Sequence, residues 1–106
     1  MTTITNKRIN DYLMEQGVPP AKSGYGYLFK VIRAILDGKV DRFVMKNVYE
    51  YVAMQEQTRP IYVENNIRRM LRKVGSINQP VVTNADFINK AINDLMFEVD
   101  PNYNPC

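Results

Sequence analysis

A chain of 106 residues has the size of a single domain, and with 45% hydrophobic and 24% charged residues it can form a core rather than stay disordered. It contains no histidine and one cysteine, Cys106, which excludes an internal disulfide and the commonest zinc and general-base sites. No apolar run approaches the roughly 18–20 residues that span a bilayer, and the first ten residues lack the apolar segment of a signal peptide. We therefore expect a cytoplasmic protein with no catalytic residues, no metal, no cofactor and no membrane contact.

The first half of the chain predicts two helices separated by glycine and proline. Apolar residues at three- and four-residue spacing predict a helix over residues 6–16, which Gly17 and the following prolines end. A second helix is predicted over residues 23–37, with Ser23 as its N-cap. The glycine-containing segment 24–26 is too short for a phosphate-binding loop. We interpret it as flexibility at the start of that helix.

The second half predicts three more helices. The apolar pattern indicates a helix over residues 41–55, and Pro60 suits the first turn of a helix that continues to about Val74. Thr83 has the residue type and spacing of an N-cap for the last helix. Residues 79–82 have a weak strand pattern, and we expect a flexible tail from about residue 99.

The stretch between the third and fourth predicted helices has the pattern of a helix-turn-helix. Such a unit needs a small residue in its first helix and an apolar residue about ten positions later to pack against it. Ala53 and Val63 meet this requirement. We therefore predict an all-α fold, a compact bundle of five or six helices in one DNA-binding domain over residues 1–106, with its recognition helix starting at Pro60.

The fourth predicted helix separates apolar from basic side chains. On a wheel of about 100° per residue, one sector holds only apolar residues and the opposite sector holds arginines, an amide and a phenol, with no acid among them. Arginine suits phosphate and guanine, and asparagine suits adenine. The predicted core side is Val63, Ile67, Met70, Leu71 and Val74, and the predicted DNA-binding residues are Thr58, Arg59, Tyr62, Asn65, Arg68, Arg69, Arg72 and Lys73.

The charge of the chain is unevenly distributed. Residues 39–73 carry eight basic and four acidic side chains, whereas residues 83–106 carry one basic and four acidic side chains. A basic excess centred on one helix is expected when that helix meets a polyanion. The C-terminal segment is not expected to take part in that contact.

Three segments resemble one known family, the C-terminal effector domain of the sporulation master regulator, stage zero sporulation protein A, of endospore-forming bacteria. They follow one another in the family's order and cover most of the chain. The first is Gly17, Val18 and Pro19 followed by Gly24, Tyr25, Tyr27 and Leu28; the second contains Ala53, Thr58, Pro60, Val63, Glu64, Ile67 and Arg68; the third runs from Pro80 to Phe87.

The resemblance implies an all-helical domain that binds operator DNA, as tandem copies or as a homodimer. Family members have arginines at the positions of Tyr62 and Asn65, where base edges are read, so we do not carry the family's operator sequence over to this chain. The segment between Val74 and Thr83 is also shorter than in the family.

Two functions are compatible with the sequence. The first is a sequence-specific transcription regulator that places the helix from Pro60 in the major groove of double-stranded DNA. The alternative is a protein-interaction module of the same ancestry that has lost specific DNA binding, with exposed tyrosines and the acidic C-terminal segment as its contact surface. DNA binding in low salt discriminates between them.

Overall fold

The computed structural model describes residues 4–74 and 83–105. Within these ranges the chain forms five α-helices and no strand, which confirms the predicted all-α fold. The weak strand pattern at residues 79–82 lies outside the described residues. The helices are α1 (Asn6–Glu15), α2 (Ser23–Leu36), α3 (Met45–Gln55), α4 (Pro60–Val74) and α5 (Asn84–Val99).

The core is built around α2, which packs against each of the other four helices. Its buried stripe includes Leu28 and Ile32, both with no exposed surface. The aliphatic sides of the other helices meet this stripe because their apolar residues also recur at helical spacing. Other fully buried side chains are Ile9, Leu13, Val48, Val52, Val63, Ile67, Ile88 and Leu95.

Two threonines cap helices as N-cap residues usually do. The Thr5 Oγ1 accepts a hydrogen bond from the Arg8 amide at 3.1 Å, and the Thr83 Oγ1 accepts one from the Asp86 amide at 3.1 Å. Each bond satisfies an amide that has no partner within the first turn of its helix. The prediction that Thr83 caps the last helix is confirmed.

The predicted start of the third helix and the predicted N-cap of the second are wrong. The third helix begins at Met45 and not at residue 41, because Asp41 accepts a hydrogen bond from the Phe43 amide through its side chain and one from the Val44 amide through its carbonyl. These bonds form a local turn that competes with the helix. Ser23 is not an N-cap either. Lys22 occupies that position of α2 without a side-chain hydrogen bond to the helix.

Asn84, the first residue of α5, joins three helices. Its Nδ2 donates to the Tyr49 hydroxyl at 3.2 Å and to the Glu64 carbonyl at 3.1 Å. Asn84 is only 8% exposed, and burial also raises the pKa of Tyr49. The amide nitrogen of this buried side chain is tied to α3 and α4 and so fixes where α5 starts, since leaving a buried donor without partners is costly.

The segment after α5 turns back onto the loop between α2 and α3. Arg42 donates to the Asn93 Oδ1 at 2.7 Å, to the Tyr103 hydroxyl at 2.9 Å and to the Pro105 carbonyl at 3.0 Å. The Tyr103 ring packs edge-on against Phe97 with centroids 5.3 Å apart. The segment expected to be a flexible tail is therefore held by one arginine and one aromatic pair.

An arginine on α1 holds the C-terminal end of α5. The Arg8 guanidinium donates two hydrogen bonds of 2.7 Å to the Glu98 carboxylate and two more, of 3.0 and 3.2 Å, to the Glu15 carboxylate. Beside it, the Asp94 carboxylate accepts from Tyr12 and from Lys90, each at 2.6 Å. These contacts join the two terminal helices of the fold.

Acid is expected to weaken this contact between α1 and α5. The Arg8 hydrogen bonds hold the pKa of Glu98 below its ordinary value of 4.5; burial opposes this effect and is outweighed. A carboxylate with a lowered pKa in the folded state stabilises the fold above its unfolded pKa, and this contribution is lost as the pH falls through the folded pKa. Glu98→Gln should therefore lower the free energy of unfolding at pH 7 by up to about 1 kcal/mol, since the pair is partly exposed to solvent.

Denaturant titrations between neutral pH and pH 3 measure this effect. The difference between wild type and Glu98→Gln should shrink as the pH falls below 4.5, the ordinary glutamate pKa. Glu50→Gln, on an exposed position of α3, is the matched control and should leave the pH dependence unchanged. A constant difference across the titration would contradict the assignment.

Within the described residues, no helix combines the length and the apolar character needed to cross a membrane.

Candidate nucleic-acid interface

The turn between α3 and α4 is closed by a residue in the left-handed region. Gln57 has a φ of 55°, which is uncommon for a residue other than glycine. Its amide donates to the Met54 carbonyl at 3.4 Å, and the Thr58 amide donates to the Ala53 carbonyl at 3.0 Å. This pair of bonds is a Schellman motif, which ends α3 and directs the chain into α4.

The start of α4 follows from its first residues. The Arg59 carbonyl accepts from the amides of Tyr62 and Val63, at 3.0 and 3.2 Å. Pro60 is the first helical residue, where the missing amide hydrogen costs no helical bond. The predicted site residues Thr58 and Arg59 lie directly before the helix, Thr58 half-buried and Arg59 exposed.

One side of α4 is buried against α2 and α3. Val63 and Ile67 have no exposed surface, and Met70 and Leu71 are 3% and 4% exposed. Val74, at the end of the helix, is half-buried. These are the five residues that the helical wheel assigned to the core, so the packing matches the expected division of the helix.

The opposite side of α4 is accessible to solvent. Arg68, Arg69, Arg72 and Lys73 are exposed, and Tyr62 is 50% exposed. This exposed side, from Ile61 to Lys73, is called the α4 face below. It brings the predicted contact residues of the helix together along the domain, and Asn65 among them is half-buried.

The positive charge of Arg68 is partly neutralised by Glu64, one turn earlier on α4. Its guanidinium lies 3.4 Å from the Glu64 carboxylate and donates to the Asn65 Oδ1 at 3.0 Å. Glu64 therefore contributes to the electrostatics of the face. A phosphate that approaches Arg68 must share the guanidinium with that carboxylate, whereas no acidic partner of Arg69 or Arg72 is found among the described residues.

A second basic element, which the sequence analysis missed, lies at the start of α2. Lys22 and Ser23 line a shallow cavity of about 90 Å³ together with Arg69 and Lys73 of α4. Three cationic side chains therefore converge where the first amides of α2 carry no side-chain cap. Helix starts of this kind favour anions, so the cavity extends the basic surface beyond α4.

Gly24 places the start of α2 directly on the backbone of α4. A Cβ at this position would lie 2.5 Å from the Asn66 carbonyl oxygen and 3.2 Å from the Met70 Cβ. Beside it, the Ser23 hydroxyl donates to the Asn66 Oδ1 at 2.8 Å. The interpretation of residues 24–26 as local flexibility is therefore wrong for Gly24, whose hydrogen atom is needed for close packing.

Tyr27 of α2 positions the aromatic side chain of the α4 face. Its ring packs edge-on against Tyr62, with centroids 6.1 Å apart and planes at 81°. The Asn66 Nδ2 also donates to the Tyr62 carbonyl at 2.8 Å. Tyr27 lies on a different helix from Tyr62, so the sequence pattern of α4 carried no signal for this contact.

Residues 4–74 and 83–105 contain no group of acidic or cysteine side chains arranged to hold a metal ion. The site is a helix with one buried and one basic exposed side, preceded by a tight turn and extended by Lys22 at the start of α2. Such a surface suits a polyanion with regularly spaced phosphates.

Comparison with known families agrees with this geometry. The family described as the sporulation initiation factor Spo0A C terminal matches residues 9–94, which include all of α2, α3 and α4. Comparisons with curated proteins and with solved structures give no match. Domains of this family are DNA-binding regulatory domains and not enzymes. The chain therefore belongs to the Spo0A C-terminal family of DNA-binding effector domains.

Proposed function

We propose that this domain is a sequence-specific transcription regulator that docks α4 in the major groove of double-stranded DNA. The observation that supports the proposal is the division of α4, with Val63 and Ile67 fully buried and Arg69, Arg72 and Lys73 exposed. A helix held on its apolar side presents the other side as a rigid row of contacts, as helix-turn-helix domains do.

Each part of the α4 face has a role in the proposal. The first turns, with Tyr62 and Asn65, face the bases, together with Arg69 one turn later. Arg59, Arg68, Arg72 and Lys73 contact phosphates, and Lys22 adds a contact from α2. Phosphate contacts set the position on the duplex, and the side chains that reach base edges select the sequence.

Salt dependence tests whether the α4 face binds DNA. A labelled random duplex is titrated with the domain at several salt concentrations, followed by fluorescence anisotropy. With four to five phosphate contacts, affinity should fall roughly 100- to 500-fold for a fourfold rise in salt, because each contact contributes about 0.9 to the log–log slope. No binding by micromolar protein in low salt would refute the proposal.

Selection from a random DNA pool, followed by footprinting, tests sequence specificity. We expect an enriched sequence that random duplex does not compete away. We also propose that the domain occupies its operator as a homodimer or in tandem copies, in the cytoplasm, and a footprint covering two half-sites one helical turn apart supports this arrangement. A footprint of a single half-site contradicts it.

A second candidate function is supported by exposed aromatic side chains. Phe43 is 66% exposed beneath the Arg42 guanidinium, and Phe97 is 44% exposed beside Tyr103. Such side chains are common at protein–protein interfaces. If the domain binds no duplex, the protein-interaction module becomes the better assignment.

A further inference from the structure

The α4 face is divided along its length. Its first two turns carry Ile61, Tyr62 and Asn65, none of which has a formal charge, whereas its later turns carry three arginines and a lysine. Ile61 and Tyr62 are 54% and 50% exposed, although both are large and mainly apolar. In helix-turn-helix docking the N-terminal residues of the recognition helix contact base edges. The uncharged part of the α4 face would therefore meet the bases, with Arg69 as the charged side chain that joins it there.

These uncharged side chains are held in place before any ligand binds. The edge-on contact with Tyr27 fixes the Tyr62 ring, and the Asn65 Oδ1 accepts from Arg68. Ile61 is β-branched, which restricts its side chain to few rotamers on a helix. The first two turns therefore present an apolar surface that is packed on one side against Tyr27, with one amide beside it.

The chemistry of this surface favours thymine and adenine. Guanine is read in the major groove mainly by arginine or lysine, which bind its O6 and N7, whereas the thymine methyl group is contacted by apolar side chains and adenine by asparagine. Resting on the docking mode proposed above, we infer that Ile61 and Tyr62 contact thymine methyl groups. The domain then selects an A·T-rich operator through the major groove.

Three duplexes of equal length test the groove and the base class. They differ only in the pairs that face the first two turns of α4, which are A·T, G·C or inosine·cytosine, and they keep the same pairs opposite Arg69. Inosine·cytosine resembles G·C in the major groove and A·T in the minor groove. The A·T duplex should bind at least about fivefold more tightly than either of the others. Equal binding of the A·T and inosine·cytosine duplexes would assign selection to the minor groove and overturn the inference.

Replacing thymine by uracil removes only the methyl group that the inference requires. Affinity for the selected site should fall roughly fourfold for each contacted methyl, the effect of exposing one such group. Ile61→Ala should reduce this discrimination, and Ile61→Ala with Tyr62→Ala should abolish it, so that the thymine and uracil duplexes bind the double variant with equal affinity. Both side chains are half exposed, and circular dichroism verifies that the variants stay folded.

Met54→Ala is the matched control, because Met54 is an exposed apolar residue on α3 and not on the α4 face. It should retain the full preference for thymine over uracil. Tight binding with no such preference would overturn the thymine inference and leave the proposed function standing. Failure to bind any duplex would refute the proposed function itself, so the two failures are distinguishable.

Discussion

Gly24→Ala is expected to destabilise the domain by about 1–3 kcal/mol, the usual effect of adding a methyl group to a tightly packed site. The added Cβ would lie 2.5 Å from the Asn66 carbonyl oxygen and 3.0 Å from its carbonyl carbon. Both atoms belong to the backbone of α4, so no side-chain rotation relieves the contact. The start of α2 and the middle of α4 must move apart, and the Ser23–Asn66 hydrogen bond should be lost with them.

Gly26→Ala is the matched control on the same helix. No atom lies within 4 Å of a Cβ at Gly26, and the residue is exposed. Alanine is favoured over glycine inside a helix by about 1 kcal/mol, so this variant should be more stable than wild type. Denaturant unfolding measures both changes. The two changes in the free energy of unfolding should have opposite signs and need not be equal in size. Stabilisation by both alanines would contradict the close packing of α2 on α4.

Arg69→Ala is expected to reduce binding to the selected operator by about 1–3 kcal/mol, the range for a bidentate base contact. Arg69 lies on the α4 face two turns after Tyr62, and it is exposed. In the proposed docking mode its guanidinium reaches a base edge. The loss on random duplex should be smaller, because a base contact contributes little without its cognate base.

Two further variants distinguish the effect of the positive charge of Arg69 from that of its planar pair of donors. Arg69→Lys keeps the positive charge and loses the planar pair of donors, so it should bind random duplex like wild type and the selected operator less tightly. Lys39→Ala removes one exposed positive charge outside α4 and should change affinity only slightly. An equal loss for Arg69→Ala on every duplex would assign Arg69 to the phosphate backbone.

Helix positions and the buried side of α4 were predictable from the sequence because both depend on periodicity. Val63, Ile67, Met70 and Leu71 recur at the spacing that brings side chains to one side of a helix, and all four are buried. The same periodicity places the arginines of α4 on the exposed side of the helix. These features are local, and any packing partner of sufficient apolar area would bury the same residues.

The errors concern side chains whose partners are distant in sequence or compete locally. Ser23 has the residue type of an N-cap, but its hydroxyl donates to Asn66, 43 residues later. Asp41 turns the chain with its own side chain and delays α3 by one helical turn. Arg42 holds Tyr103 and Pro105, so the tail has partners that no local pattern reveals.

The same distinction applies to the candidate site. The cations of α4 were found because they share one helix, whereas Lys22 and Tyr27 join the surface only through the packing of α2 on α4. Gly24 could have indicated that packing, since a glycine inside a predicted helix often marks close approach of another backbone. The nearby Gly26 has no such contact, so a glycine within a helix does not by itself identify a site of close helix packing.

The direct seating of α2 on the backbone of α4 has an entropic consequence for docking. Gly24 and Ser23 of α2 pack directly against α4 at Asn66. The backbone of α4 therefore has little conformational entropy to lose when a ligand binds. What is ordered on association is then the set of long cationic side chains, each at about 0.5–1.5 kcal/mol. In the proposed docking mode, affinity should therefore depend on how many of those side chains a duplex engages, and not on a rearrangement of the scaffold.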